Sequence, residues 1–396
     1  MLLGKKEGPR KFFTTPDRSF FYLPSQRIKG GLFMKKRLDG GFFQRRLSGK
    51  KALTLLLIAA LALALTGCAN NAPGPASEAP ETIELRLAHF FPGTHPAETD
   101  LVQPWIKALE EATEGRLLVT SYPNQTLLPA DAIYDGVVTG VADIGLSCFS
   151  YTRGRFPVLE AFELPGVKYA NSKVAGRVAW EGIKQLNPQE IQDTKLLMVL
   201  TTGPGDLYTK VPVRNLEDLQ GLEVRATGLS AKTLEALGAV PVAMPQSEAY
   251  EALSKGVVEG NLGPVEVLQG WRQAEVTDYL TRTPFLYNTL FFITMNLDQW
   301  NSLPADMQQA IEEVSETYFE NVALGLWDQQ NQAALAWAVD ETGMETFTLP
   351  EEEVARWIKL VEPIQEDYVA KMNQEGLPGQ EILDTVQNLA EQYNEE

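Results

Sequence analysis

The chain has 396 residues, two histidines and two cysteines, enough length for two domains or one large one around an ample core. Its formal charge of −18 is unevenly spread: residues 1–67 carry 14 Lys or Arg against 3 Asp or Glu, and residues 68–396 carry 20 against 49, a net −29. So acidic a body repels phosphate backbones and anionic bilayers, which excludes nucleic-acid and membrane-surface binding as its main work.

The basic stretch "KKRLDGGFFQRRLSGKK" leads into an apolar run from Ala52 to Thr66 and then "LTGC" at 65–68. A largely apolar run of fifteen residues suits the core of a signal peptide and falls short of the roughly 20 a spanning helix needs. The small-residue site ending in Cys68 resembles a bacterial lipoprotein cleavage box. That resemblance implies a lipidated cysteine as mature N-terminus and an extracytoplasmic protein held at the cell membrane. The alternative is a short anchor with a chance cysteine. Residues 1–33 are long for a basic leader, and Met34 offers a second start. Residues 68–81, containing "ANNAPGPASEAP", read as a flexible tether. Cys148 is then the other thiol, so with Cys68 lipidated no internal disulfide or cysteine metal site is expected.

From Glu81 onward strand-like and helix-like segments alternate, as in an α/β protein. "IELRLAH" (83–89) reads as a strand, and 100–115 as a helix through Leu101, Trp105, Ile106 and Leu109, stopping at Gly115. "RLLVTSY", "ADIGL", "KLLMVLT", "LEVRA", "VPVA" and "LFFITMN" are further short strands, and from about Leu303 the chain is mostly amphipathic helix broken by "METFTL". Trp105, Trp300, Trp327, Trp337 and Trp357 fall in helical contexts and read as core, while Trp271 has no evident place. "YDGVVTGVADIG" (134–145) and "LSKGVVEGNLG" (253–263) echo one another as helix, G-V-V-x-G and strand. Two α/β units facing each other would form a cleft at their strand ends, where ligands of open α/β sheets collect; chance reuse of a common turn is the alternative. With the crossing placed near "TTGPGDLYTK" (201–210) and the return at "LFFITMN" (290–296), domain I is expected at 82–202 with 290–330. Domain II is expected at 203–289 with 331–396, the two crossings forming the hinge.

Catalytic constellations are scarce. His89 and His95, both in "AHFFPGTHP", match neither i, i+4 nor H-E-x-x-H spacing, so ordinary loop hydrogen bonding is the simpler reading than a metal pair. No G-x-S-x-G, G-x-G-x-x-G or phosphate loop occurs, and the acidic residues sit as solvated helix faces. The reading is therefore of a protein that is not an enzyme and needs no cofactor or metal.

Arg225 stands out. In "NLEDLQGLEVRATG" Asn215 can cap a short helix, Gly221 can take the left-handed stop, and Arg225 lies near the C-terminal end of the strand. A guanidinium pairs two-at-a-time with a carboxylate, as lysine cannot. On the residues alone a structural salt bridge is the simpler reading and an anion holder the other. "EGNLGPVEVLQG" places Gly263 and Pro264 at a strand-to-helix switch, a position whose free N–H groups attract anions.

The order of "LRLAHFFPGTHP", "DGVVTGVADIG", "GRFPVLEAFELP", "NLEDLQGLEVRATG" and "VPVAMPQSEAYEALSKGVVEG" with Pro264 resembles the substrate-binding receptors of tripartite ATP-independent periplasmic (TRAP) transporters, of the dicarboxylate-receptor type. The resemblance spans about residues 82–345. It implies two α/β domains on hinge strands, with a long bracing helix, that close over an organic acid and deliver it to an ion-coupled membrane permease. Arg225 falls on the family's acid-binding arginine, and Phe90, Cys148, Gln246 and Gly263 fall on other pocket positions. Where some members carry a second arginine this chain has Gly205, and where many have an amide it has Gly263, with Asn261 close by. One cation fewer, with Phe90 and with Phe149 and Tyr151 nearby, points to a monocarboxylate (2-oxo, 2-hydroxy or aromatic) over a dicarboxylate; a sulfonate also suits a guanidinium. A binding protein of the ATP-driven importers would share the fold and the anchor.

Overall fold

The computed structural model describes residues 82–396. The signal segment, the tether and the lipid site expected at Cys68 lie outside the described residues. Eleven strands are described: β1 Ile83–His89, β2 Leu117–Tyr122, β3 Ile144–Cys148, β4 Thr194–Thr201, β5 Asp206–Thr209, β6 Glu223–Ala226, β7 Val240–Ala243, β8 Gly260–Gly263, β9 Tyr279–Arg282, β10 Leu290–Asn296 and β11 Glu345–Thr348. They form two sheets, β2-β1-β3-β10-β4 and β11-β9-β5-β8-β6-β7. Each strand expected from the sequence is present.

Local chemistry accounts for most of these elements. In β1 the alternation sends Leu85 and Leu87 inward, while Arg86 faces out and its Nε donates to Asp143 at 2.9 Å. The helix Gln103–Ala112 buries Trp105, Ile106 and Leu109 on one stripe, and Gly115 takes φ +77 beyond its end. Asn215 caps the turn Leu216–Leu219 by accepting the Asp218 N–H at 2.9 Å, and Gly221 adopts φ +75, as the sequence predicted. Trp105, Trp300, Trp327 and Trp357 are buried; Trp337 is half-buried.

The topology points strand ends at one another. β1 lies parallel to both β2 and β3, and β6 lies parallel to both β7 and β8, with Arg225 opposite Val242 and Asn261. The carboxyl ends of these strands deliver Phe90, Cys148, Arg225, Met244 and Pro264 to the region between the sheets, the crevice position of open α/β sheets. The echoed segments supply the central strands β3 and β8, but their glycines differ in role. Gly136 lies inside the helix Ile133–Val138 and Gly140 makes the stop at φ +74, whereas Gly256 itself ends the helix Gln246–Lys255 at φ +71.

The chain crosses between sheets from β4 to β5 and from β9 to β10, and these crossings are bonded side by side. Thr202 N donates to Thr289 O at 3.1 Å and Gly205 N to Tyr287 O at 3.1 Å. Two more passages follow. The helix Leu326–Thr342 packs on both the helix Ser172–Leu186 and the turn Val267–Gly270, and after β11 the chain returns. The helix Gly379–Glu395, expected with the second unit, packs instead on Ser172–Leu186 beside the first sheet. Its amphipathic stripe (Ile382, Leu383, Val386, Leu389) fits that helix, and nothing in its own periodicity specifies the partner.

Candidate functional site

Arg225 is 1% exposed, although it sits one residue from the end of β6. Its Nε donates to Met244 O at 3.0 Å and its Nη1 to Asn261 Oδ1 at 3.3 Å. Asn261 is held in turn, its Nδ2 donating to Gln273 Oε1 at 2.9 Å. Among the described residues Arg225 forms no salt bridge, so the guanidinium is oriented by neutral groups with its charge uncompensated. A buried cation without a counter-ion is costly, which makes this a place where an anion is favoured.

Arg225 lines a tight cavity of about 20 Å³ together with Phe90, Phe91, Cys148, Tyr151, Gln246, Glu266, Trp271, Tyr287 and Phe291, among others. Six of these are aromatic. Phe90 stacks on Phe91 with centroids 4.2 Å apart, faces Trp271 at 6.0 Å and Phe291 at 6.4 Å, and meets Tyr151 edge-on at 5.4 Å. Burial pushes the Cys148 thiol and the Tyr151 and Tyr287 hydroxyls well above their ordinary ranges; the Arg225 charge opposes this in all three. These three groups stay neutral beside the Arg225 guanidinium.

Several polar atoms here lack partners. The Gln246 amide has neither its Oε1 nor its Nε2 bonded, and the Trp271 indole N–H is also free among the described residues. Across the cleft, Gln246 N donates to Tyr151 Oη at 3.0 Å. Glu266 receives His95 Nε2 at 3.1 Å; Ala97 N donates to His95 Nδ1 at 3.0 Å, which fixes the neutral tautomer with hydrogen on Nε2. His89 is elsewhere, with Nε2 2.8 Å from Glu98 Oε2. The two histidines thus serve separate hydrogen bonds.

The sequence-predicted residues separate into two groups. Arg225, Phe90, Cys148 and Gln246 line the cavity; Asn261 stands behind Arg225, fully buried, and Gly263 accepts the Tyr208 hydroxyl at 3.0 Å. Gly205 is not at the cavity wall. A Cβ there would lie 2.5 Å from the Tyr287 ring and 2.6 Å from Gly263 O, so the close approach of the crossing to β8 requires glycine and leaves no room for a second arginine. Pro264 lines the cavity but opens only a turn; the helix that follows spans Val267–Gly270, too short for an N-terminal anion site. Phe149 turns away to pack on Phe156 and Phe292 at 4.8 and 4.9 Å. Reading the sequence missed Phe91, Glu266, Tyr287 and Phe291, and left Trp271 unplaced. Adjacency to Phe90 was the one available signal for Phe91.

Residues 87–372 match the family model of the bacterial extracellular solute-binding proteins, family 7. The 2,3-diketo-L-gulonate-binding periplasmic protein of Escherichia coli K12 is 27% identical over 210 residues, 51% of this chain and 63% of that one, under two thirds of its length. A TRAP periplasmic solute binding protein from Desulfovibrio salexigens is 36% identical with TM-score 0.69, covering 78% of this chain and 96% of its own. One from Rhodoferax ferrireducens, in complex with copurified benzoate, is 28% identical with TM-score 0.74, covering 79% and 99%. Another from a marine metagenome, specific for aromatic acid ligands and holding metahydroxyphenylacetate, is 29% identical with TM-score 0.75 at 79% and 99% coverage. The chain belongs to the bacterial extracellular solute-binding proteins of family 7, the substrate-binding receptors of TRAP transporters, whose members bind organic acids.

Proposed function

We propose that this receptor binds a monocarboxylate with a flat apolar body, foremost an aromatic acid, in the cleft between its sheets and hands it to a TRAP permease while tethered through Cys68. The carrying observation is the buried, carboxylate-free Arg225 in one cavity with six aromatic rings. The guanidinium supplies the fork for an acid group, Asn261 and the Met244 carbonyl fix its plane, and Phe90, Phe91 and Trp271 supply faces for a ring. Glu266 brings a second, fixed carboxylate to the lining, which disfavours a dicarboxylate by like-charge repulsion. Benzoate and metahydroxyphenylacetate in two of the similar receptors accord with this reading.

A cavity of about 20 Å³ has room for about one water. A ring can enter only if the sheets part about the paired crossings near Thr202 and Thr289. Closure then removes water from around Arg225, and the ligand shifts the open–closed balance by its differential affinity for the closed form. The net charge of −29 on residues 68–396 supplies no long-range attraction, so selectivity rests on these local contacts.

Thermal unfolding of the protein with aromatic monocarboxylates, dicarboxylates and sulfonates tests the reading. A saturating ligand at 1,000 times its dissociation constant adds about 4 kcal/mol of stability. Shifts confined to monocarboxylates and lost in Arg225→Lys support the proposal; shifts with sulfonates alone transfer the site to that class. Shifts indifferent to Arg225 overturn it.

A further inference from the structure

We propose that Trp271 is a specificity-determining residue that reads a second acceptor oxygen on the ligand, so that the preferred acids are aromatic monocarboxylates carrying an additional oxo or hydroxyl oxygen. This rests on the acid-receptor reading above. Trp271 lines the same cavity as Arg225, and its ring lies nearly parallel to Phe90 with centroids 6.0 Å apart and an interplanar angle of 23°. Its Nε1–H is buried and has no partner among the described residues. An indole N–H can only donate, and so can a guanidinium. Once the acid group occupies Arg225, a ligand without further polar atoms leaves the indole donor unpaired in a closed, dewatered cleft.

Gln246 strengthens the assignment. It is 7% exposed, lines the cavity, and has both amide atoms without a partner. A second oxygen on the ligand can accept from Trp271 or from Gln246 Nε2, and a hydroxyl can in addition donate to Gln246 Oε1. The unpaired atoms together therefore match an oxygen-bearing acid better than a plain hydrocarbon acid. The unpaired donor explains why this aromatic wall contains a tryptophan rather than a fourth phenylalanine. A site built to hydrogen-bond a substrate oxygen rejects the analogue that lacks it.

Calorimetric titration of the full chain with phenylacetate, mandelate, phenylglyoxylate and 3-hydroxyphenylacetate tests this, because the last three add one oxygen to the same type of framework. At least one of them is expected to bind about tenfold tighter than phenylacetate. Trp271→Phe keeps an aromatic face and removes the donor along with the smaller ring of the indole; the lost area weakens all four acids alike, whereas the lost donor is expected to collapse that ratio towards one. Equal affinities for all four acids in the wild type, or a ratio that survives W271F, overturn the inference and leave the receptor reading standing. If none of the panel binds, the aromatic-acid reading and this inference fall together. Should W271F not fold, isotope-labelled tryptophan gives a second readout. One indole N–H resonance must move further with the tighter acid than with phenylacetate, and an indifferent set of resonances counts against the assignment.

Discussion

The Tyr151 hydroxyl accepts the Gln246 N–H at 3.0 Å and so joins the loop after β3 to the first residue of the helix after β7. The first turn of a helix has N–H groups with no partner inside it, and this one is satisfied from across the cleft. Tyr151→Phe leaves the ring against Phe90 and removes the acceptor. A buried donor left unpaired costs about 1–3 kcal/mol, and that cost falls on the closed form alone. Ligand release should therefore quicken by about tenfold or more while association changes little. Stopped-flow release measured on the variant and the wild type checks this; equal release rates would show that the bond does not hold the cleft shut.

Gly228, two residues beyond β6, has φ +51 and faces the opposite side of the cleft at close range. A Cβ there would lie 2.6 Å from Ser150 Cβ and 3.0 Å from Glu163 Oε2. Gly228→Ala thus adds a left-handed conformation unsuited to an L side chain and a wedge between the two sides, each costing about 1–3 kcal/mol. The open form escapes the wedge. Small-angle scattering should show a variant that compacts less on ligand addition, with affinity reduced more than tenfold; normal compaction would contradict the close approach.

Burial pushes the Glu163 carboxyl up to about 8, with Glu160 adding to the rise and the Leu290 N–H, 2.8 Å from its Oε1, opposing it. The fold therefore favours the protonated acid. Between the ordinary glutamate range and about 8 the folded chain holds a proton that the unfolded chain has lost, so stability falls as pH rises through this window and levels off above it. The slope from this one group is at most about 1.4 kcal/mol per pH unit. Glu163→Gln keeps an acceptor for Leu290 and cannot ionise. Urea unfolding at several pH values should show a flatter profile for E163Q, with a gain over wild type at pH above about 8; parallel profiles would mean that the carboxyl stays charged throughout.

Much of the frame was legible in residue order. Alternation located β1 and short strand-like runs the others, "TTGPGD" and "LFFITMN" marked the crossings, and Asn215 and Gly221 bracketed the turn that leads into Arg225. These are local matters of dihedral preference, capping and alternation, which a short stretch of chain settles by itself. The carboxyl end of a strand is also a local fact, and it marked Arg225; Phe90 and Cys148 were expected in the pocket from the family resemblance.

What the local chain could not settle was company. Trp271, Glu266, Tyr287 and Phe291 reach the cavity because β8 pairs with β5 and β6, and β10 inserts between β3 and β4; strand periodicity says which side a residue faces and never which strand lies next to it. Gly205 offered an open position in the sequence and proved to be filled by Tyr287 and the carbonyl of Gly263. The final helix carries a stripe that many partners would satisfy, and only the packed molecule gives it Ser172–Leu186. Arg225 shows the division most plainly. Its residue type and strand end were written in the sequence, but whether one of 49 acidic residues would neutralise it depended on long-range placement, and the fold leaves it with neutral partners and its charge open to a ligand.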